Sequence, residues 1–340
     1  MTLIDCDVHS PAPGLAEVGP YLDEYWREYA AEAGFRAPSS VATVYPPNAP
    51  TTRRPDADDS YPGLAAHLDA ERADCAIVNC FSGVEALRNV DFANAYASAV
   101  NDWIAAEWLA RDHRLRAAIV VKPDDPGGAA AEIARLSGDS RFVHVLLPVR
   151  ADRPYGNRFY WPLLEAAVEH GRPLALHFGG SSGNPPTPVG WPSYYLEEYV
   201  GMAHIFEAQL TSLIAEGAFE RYPGLRVVLL ESGFSWLPPL LWRLDKEWKG
   251  LRREIPWVKT APSETIRERV RVAVQPVDGP GDPQGLARLL ERLGSDELLV
   301  YSSDHPHTHA RTYEEALGGL VPPELDRKIR YDNAAALYGL

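Results

Sequence analysis

Short apolar or β-branched runs recur along the chain, separated by stretches in which apolar residues return every three or four positions. The runs are LIDCDVH (3 to 9), CAIVNCF (75 to 81), LRAAIVV (115 to 121), FVHVLLP (142 to 148), PLALHFG (173 to 179), LRVVLLES (225 to 232), VRVAVQP (270 to 276) and ELLVYSSD (297 to 304). Runs of this length suit strands buried on both faces. Between them lie helix-period segments such as VDFANAYASAVNDWIAAEWLARD, FYWPLLEAAVEHG and AHIFEAQLTSLIAEGAFERYPG, the last stopped by a Pro-Gly pair. This alternation predicts βα units around a parallel sheet. Eight strands, seven helical connections and a helical tail, DRKIRYDNAAALYGL, predict one closed (β/α)8 TIM barrel spanning 1–340. The alternative is a doubly wound open sheet, which the lack of a Gly-rich phosphate turn after the first strand disfavours.

Two stretches interrupt the regular spacing. Residues 10 to 62 are rich in proline and carry Trp26 and several tyrosines, and residues 180 to 200 read GSSGNPPTPVGWPSYYLEEYV. Each follows a strand C-terminus, so in a barrel each covers the catalytic face, as a substrate wall or as a surface excursion. No internal repeat or low-complexity tract is present.

Composition narrows the function classes. The chain of 340 residues is 46% hydrophobic and 24% charged, as expected of a folded globular protein. Its formal net charge of −14 argues against nucleic acid and anionic membrane surfaces as partners. The three cysteines, Cys6, Cys75 and Cys80, show no CxxC spacing, which predicts a reducing, cytoplasmic setting. No basic segment leads into an apolar run at the N-terminus and no run is long enough to span a bilayer, so neither secretion nor membrane insertion is expected.

Barrel chemistry sits at strand C-termini. The first strand ends in Asp7-Val8-His9, and period-two alternation turns Asp7 and His9 inward, with Asp5 a weaker candidate on the same face and Cys6 turned towards the helices. Strand five ends in His177, strand six in Glu231, and strand eight in Asp304, followed by His305, Pro306 and His307. Any one of these is explained by an ordinary hydrogen bond. Two imidazoles and three carboxylates converging on one mouth repel and resist burial unless a cation compensates them, so a divalent metal is expected.

The segments DCDVH, LALHFGG, RVVLLESGFSWLPPLLWRLD and YSSDHPH resemble, in order and over the whole chain, the amidohydrolase-related TIM-barrel proteins, which include metal-dependent hydrolases and nonoxidative decarboxylases. The resemblance implies metal ligation by Asp7, His9, His177 and Asp304. Where relatives commonly carry His on strand six, this chain has Glu231, and His307 lies three residues beyond Asp304. Both departures are similar to a subgroup of nonheme dinuclear iron monooxygenases, the hydroxylases of platensimycin- and platencin-type diterpenoids.

On that resemblance the expected reading is a diiron or mixed Mn/Fe monooxygenase in secondary metabolism, with Glu231 and His307 completing the second metal site and taking part in catalysis. It would use an external electron donor and hydroxylate a C–H bond of a small, CoA-linked substrate. The alternative is a hydrolase or decarboxylase with a single Zn or Mn, in which Glu231 is a general base. A noncatalytic barrel is the third reading, and no ligand is missing to support it. Trp191, Tyr194, Tyr195 and His204 are candidates for the substrate pocket, and Gln275 for a hydrogen bond behind it; packing and capping are the bland alternatives. A basic, aromatic stretch holding Arg243, Lys246, Lys249, Arg252, Arg253 and Lys259 is either a solvated helix or a phosphate-binding surface for CoA. Aromatic residues in the long loops make a homodimer an open expectation. Cys80 is read as core and not as a ligand.

Overall fold

The computed structural model describes residues 3–38, 58–180 and 183–340. Eight parallel strands follow one another around a barrel in chain order: β1 (Ile4–His9), β2 (Cys75–Asn79), β3 (Leu115–Val120), β4 (Phe142–Pro148), β5 (Leu174–His177), β6 (Val227–Leu230), β7 (Val270–Ala273) and β8 (Leu299–Val300). All eight expected runs form strands. The circle closes where β1 meets the chain around β8: Cys6 N donates to Tyr301 O at 3.0 Å, Asp304 N to Asp7 O at 2.9 Å and His9 N to His305 O at 2.8 Å. Sequential order with closure excludes the doubly wound sheet.

Helices wrap the barrel because each presents one apolar stripe to it. The helix Val90–Ile104 buries Phe92, Tyr96, Val100 and Ile104, and the Asn89 side chain caps its start by accepting from Phe92 N. The helix Pro283–Leu293 begins under an Asp282 cap and stops at Gly294, whose φ of 71° is left-handed. The outward faces of the strands, among them Val8, Val78, Ile119, Leu147, Leu176, Leu229 and Val272, form one core with these helices. Each such aliphatic side chain contributes about 1.5–3 kcal/mol on burial. A second, smaller cluster fills the barrel interior: Ile4, Cys6, Cys75, Ile77, Val143, Ala175, Val228, Leu230, Ala273 and Val300, with Ala334, Leu337 and Tyr338 of the C-terminal segment packed against it.

Two irregularities shift the alternation of side chains. The β1–β2 register slips between Asp5 and Val8, and the β3–β4 register slips so that Ala117 pairs with Phe142 but Ala118 with His144. An extra residue in a strand re-aims its neighbours. Consequently Cys6 joins the interior cluster, while Asp5 faces the helix layer, accepting from Ser303 N at 3.0 Å and lying 3.7 Å from His67 Nε2. The inward Asp5 and outward Cys6 expected from strict alternation are thereby corrected; Asp7, within the slipped stretch, and His9, beyond it, both reach the mouth.

Of the first insertion, residues 39–57 lie outside the described residues. Of its described part, Asp58 lines a cavity with His305, His307 and His309, whereas Trp26 and Tyr29 pack on Phe92 at ring distances of 5.6 and 5.4 Å, and Phe35 reaches Phe92 and Tyr96. Its aromatic content seals the helix Val90–Ile104. Among the described residues, no helix is long and apolar enough to cross a membrane.

Candidate metal centre

The C-terminal ends of β1, β5, β6 and β8 deliver Asp7, His9, His177, Glu231 and Asp304 to one buried place; none is more than 6% exposed. One ligating atom from each of Asp7, His9, His177 and Asp304 lies within 4.8 Å of the others, and Glu231, Asp304 and His307 form an overlapping group that shares Asp304. His9 Nε2 stands 2.8 Å from Asp304 Oδ1, and His177 Nε2 stands 3.1 Å from Asp7 Oδ2. Glu231 and Asp304 both adopt left-handed backbone, at φ 50° and 60°. That conformation costs a residue with a Cβ about 1–2 kcal/mol. At Asp304 it is held by the bonds from Asp304 N to Asp7 O and from His307 N to Asp304 O, at 2.9 and 2.7 Å. Strain of this kind turns the carboxylates off their strand ends towards the cluster.

The donor set fits a cation. His9 Nδ1 lies 3.0 Å from the Asn79 carbonyl and His177 Nδ1 lies 2.8 Å from the Phe178 carbonyl. A carbonyl only accepts, so Nδ1 of each ring carries the proton, and the Nε2 lone pairs point at carboxylate oxygens. Lone pair facing lone pair in a buried site needs a proton or a metal ion between them, and the outer hydrogen bonds are those that orient metal-binding histidines.

Proton equilibria reflect the same crowding. Burial alone would lower the His177 imidazolium, yet the charge and hydrogen bond of Asp7, with Glu231 and Asp304 behind, raise it to about 9. Burial would raise the Asp304 carboxyl, but hydrogen bonds from His307, His309 and His9 hold it well below the usual range. Burial first, and the Asp304 charge second, push the Glu231 carboxyl up to about 7 against the pull of His177, His307 and His309.

His309 and Tyr199 belong to the site and were not singled out in the sequence. His309 Nε2 lies 2.6 Å from Asp304 Oδ2, and His307 Nδ1 lies 3.0 Å from Asp304 Oδ1. The signal was available: in DHPHTH the histidines alternate directly after Asp304. The Tyr199 hydroxyl donates to Glu231 Oε1 at 3.4 Å from the helix Tyr195–Ala215. Phe81 packs on His177 at 4.6 Å, and Phe178 on Tyr199 at 5.1 Å, giving an aromatic wall beside the donors.

The expected substrate residues are placed unevenly. Tyr195 reaches the site by its ring contact with Tyr199 at 5.7 Å. Trp191 and Tyr194 are 56% and 73% exposed, and His204 is an exposed residue of the long helix. Gln275 is buried and bonded to its surroundings: Val277 N donates to Oε1, and Nε2 donates to Arg311 O. It lines a cavity of about 420 Å³ together with His305, His307 and His309. Burial pushes the Cys80 thiol up to about 12, which keeps it a core thiol. In the basic stretch, Arg252 stacks on Trp248 at 4.6 Å and Asp245 accepts from Ser263 N.

A family model described as "Amidohydrolase" matches residues 4–340. The γ-resorcylate decarboxylase of Rhodococcus jostii (strain RHA1) is 28% identical over 285 residues, which cover 76% of this chain and 80% of the relative. Among solved structures, an amidohydrolase from Mycobacterium avium subsp. paratuberculosis K-10 superposes with a TM-score of 0.74 at 21% identity, covering 99% of each chain. A 5-carboxyvanillate decarboxylase from Novosphingobium aromaticivorans DSM 12444, complexed with manganese and 4-hydroxy-3-methoxy-5-nitrobenzoic acid, superposes with a TM-score of 0.68 at 19% identity, covering 100% of this chain and 96% of that one.

These relatives overturn the expected diiron monooxygenase. Two of them are decarboxylases, one named for γ-resorcylate and one complexed with an aromatic acid, so the iron, oxidoreductase and hydroxylase assignments are corrected. The physical reason for the misreading is that a carboxylate at the end of β6 is not specific to a second ion. Glu231 shares its neighbour Asp304 with the first donor group, and a carboxyl near pH 7 suits acid–base work equally well. Nor do these relatives support a CoA-linked substrate, an electron donor or a homodimer.

Proposed function

This chain belongs to the amidohydrolase family, and on that premise we propose that it is a metal-dependent, nonoxidative decarboxylase of small hydroxylated aromatic acids. The observation that carries the reading is the group Asp7, His9, His177 and Asp304, four buried donors gathered within 4.8 Å. We assign to them one divalent cation, manganese ahead of zinc, because mixed carboxylate and imidazole donors suit it and a manganese-bound decarboxylase shares the fold. When bound, the cation supplies positive charge to oxygen atoms of the substrate. We place the protein in the cytoplasm, a setting supported by three free, buried cysteines.

The remaining work falls to side chains. Phe81, Phe178 and Tyr199 offer flat apolar surface to a benzene ring, and Tyr195 extends it outwards. Trp191, Tyr194 and His204 are assigned to the outer rim of the pocket and the buried Gln275 to its inner lining, where they select substituents. Loss of carbon dioxide breaks the bond between ring carbon and carboxylate; the electron pair stays on the ring, and that carbon takes one proton. A hydroxyl beside the carboxylate lets the ring carbon accept the proton before the bond breaks. Glu231, with its carboxyl near pH 7, carries that proton, and the Tyr199 hydroxyl orients it. His307, partly exposed and close to Glu231, returns a proton from solvent after each turnover.

The test is to supply manganese and either 2,6-dihydroxybenzoate or 5-carboxyvanillate in D2O, and to follow carbon dioxide, the phenol and dissolved oxygen. The expected result is one carbon dioxide and one ring deuteron per turnover with no oxygen uptake. Failure to release carbon dioxide from a panel of ortho-hydroxybenzoates, by protein carrying one equivalent of manganese, removes the reading.

A further inference from the structure

Below the donor group, a line of polar side chains crosses an otherwise apolar barrel interior. Asn79 ends β2, fully buried, and its Nδ2 donates to Asp7 Oδ1 at 2.9 Å and to the Cys6 carbonyl at 3.3 Å. Its Oδ1 lies 2.8 Å from Nε2 of His144, on β4 and also fully buried. Nδ1 of His144 lies 3.1 Å from the hydroxyl of Tyr338, the last residue of the helix Asn333–Tyr338.

The direction of every bond in this line is fixed. Turning the Asn79 amide over would set its oxygen against a carboxylate and a carbonyl, acceptor against acceptor, so Nδ2 must face Asp7. The Asn79 oxygen then requires His144 Nε2 to be the donor. Burial lowers the His144 imidazolium to about 3, so the ring is neutral, its Nδ1 is bare, and the Tyr338 hydroxyl must donate to it. Tyr338, His144 and Asn79 therefore all donate towards Asp7, and donors aligned in a low-dielectric interior strengthen one another. The backbone of Asn79 takes part as well, since its carbonyl holds His9 Nδ1 at 3.0 Å. The two register slips bring the line together: one, between Asp5 and Val8, spans Asp7, and the other precedes His144.

We propose that Asn79, His144 and Tyr338 are positioning residues, a one-way hydrogen-bond chain that holds Asp7 ionised and in a single rotamer for a divalent cation and makes the C-terminal helix part of the metal centre. The proposal rests on the reading above that Asp7 and its neighbours bind a cation. A C-terminal tyrosine then sets the affinity of a site at the opposite end of the barrel, without touching metal or substrate. Removing such outer partners typically lowers metal affinity about 10- to 100-fold when they touch the ligand directly.

The test measures manganese binding by calorimetry and by the loss of the free-ion electron paramagnetic resonance signal, in intact protein, without substrate. Tyr338→Phe, which removes one hydroxyl, should weaken manganese about 3- to 10-fold, and Asn79→Leu about 10- to 100-fold. In the Asn79→Leu background the Tyr338→Phe change should have no further effect on affinity, because the chain is already cut; additive losses overturn the proposal. Tyr301→Phe is the control for removal of a buried hydroxyl, since Tyr301 donates to Glu71 and not to this chain; it should leave affinity unchanged. If Asn79→Leu does not fold, the comparison of Tyr338→Phe with Tyr301→Phe decides. Equal affinity in Tyr338→Phe and the unmodified protein overturns the chain and leaves the metal site standing. No divalent binding by the unmodified protein overturns both.

Discussion

Replacing Glu231 by Gln keeps the shape of the side chain and removes the proton that the mechanism places there. An ordinary glutamate is ionised at neutral pH, but burial and the neighbouring Asp304 charge raise this carboxyl from 4.5 to about 7. With that midpoint it is roughly 90% protonated at pH 6 and roughly 10% at pH 8. A reaction that needs the protonated form is fast on the acid side and falls about tenfold per pH unit above the midpoint. A bound cation favours the ionised form, so the falling limb of the metal-loaded enzyme should lie at or below pH 7. Glu231→Gln should lower kcat by about 100- to 10,000-fold, the range for a positioned general acid, with manganese still bound and the limb abolished. The same shift has a stability sign. The native state keeps a proton that the unfolded chain has released, so stability falls as pH rises from 4.5 to about 7, and Glu231→Gln should flatten that slope. The assays are kcat against pH, metal content by emission spectroscopy, and urea unfolding at several pH values. A variant that keeps a third of its kcat and the same limb refutes the assignment; one that loses its manganese in parallel makes Glu231 a ligand instead.

Three further outcomes are expected. His309→Ala deletes the 2.6 Å bond to Asp304 and should weaken manganese about 10- to 100-fold by calorimetry, and unchanged affinity would contradict the role given to that ring. Stripping the metal with a chelator should abolish activity and lower the melting temperature, because a ligand at a hundredfold excess over its Kd stabilises the native state by about 2.7 kcal/mol; an unshifted melting curve argues against the site. Arg150→Met removes a buried guanidinium that lies 3.6 Å from Glu198 and donates to the Asn184 carbonyl at 2.7 Å, tying the end of β4 to the chain entering the helix Tyr195–Ala215. It should cost about 3 kcal/mol in urea unfolding and raise KM by loosening Tyr199, whereas a cost under about 1 kcal/mol would show the pair to be dispensable.

The strands and their order were legible because a strand buried on both faces leaves a continuous apolar run, and eight of them alternate with helical periods. Asp7, His9, His177, Glu231 and Asp304 were legible for a related reason: a barrel presents its strand C-termini to one mouth, so polar residues at the ends of apolar runs must meet. What alternation could not predict is the slip between Asp5 and Val8, since an added residue changes the facing of side chains without changing their pattern of polarity. Cys6 and Asp5 therefore exchanged their expected faces. Tyr199, Asn79 and His144 carry no local signature, because each acquires its meaning from a partner 32 to 72 positions away: Glu231, Asp7 and Asn79. Residue types alone likewise left open whether Glu231 ligates a second ion or carries a proton. Ligand identity depends on distances and on which atoms already hold hydrogen bonds, and those are set only when the barrel closes.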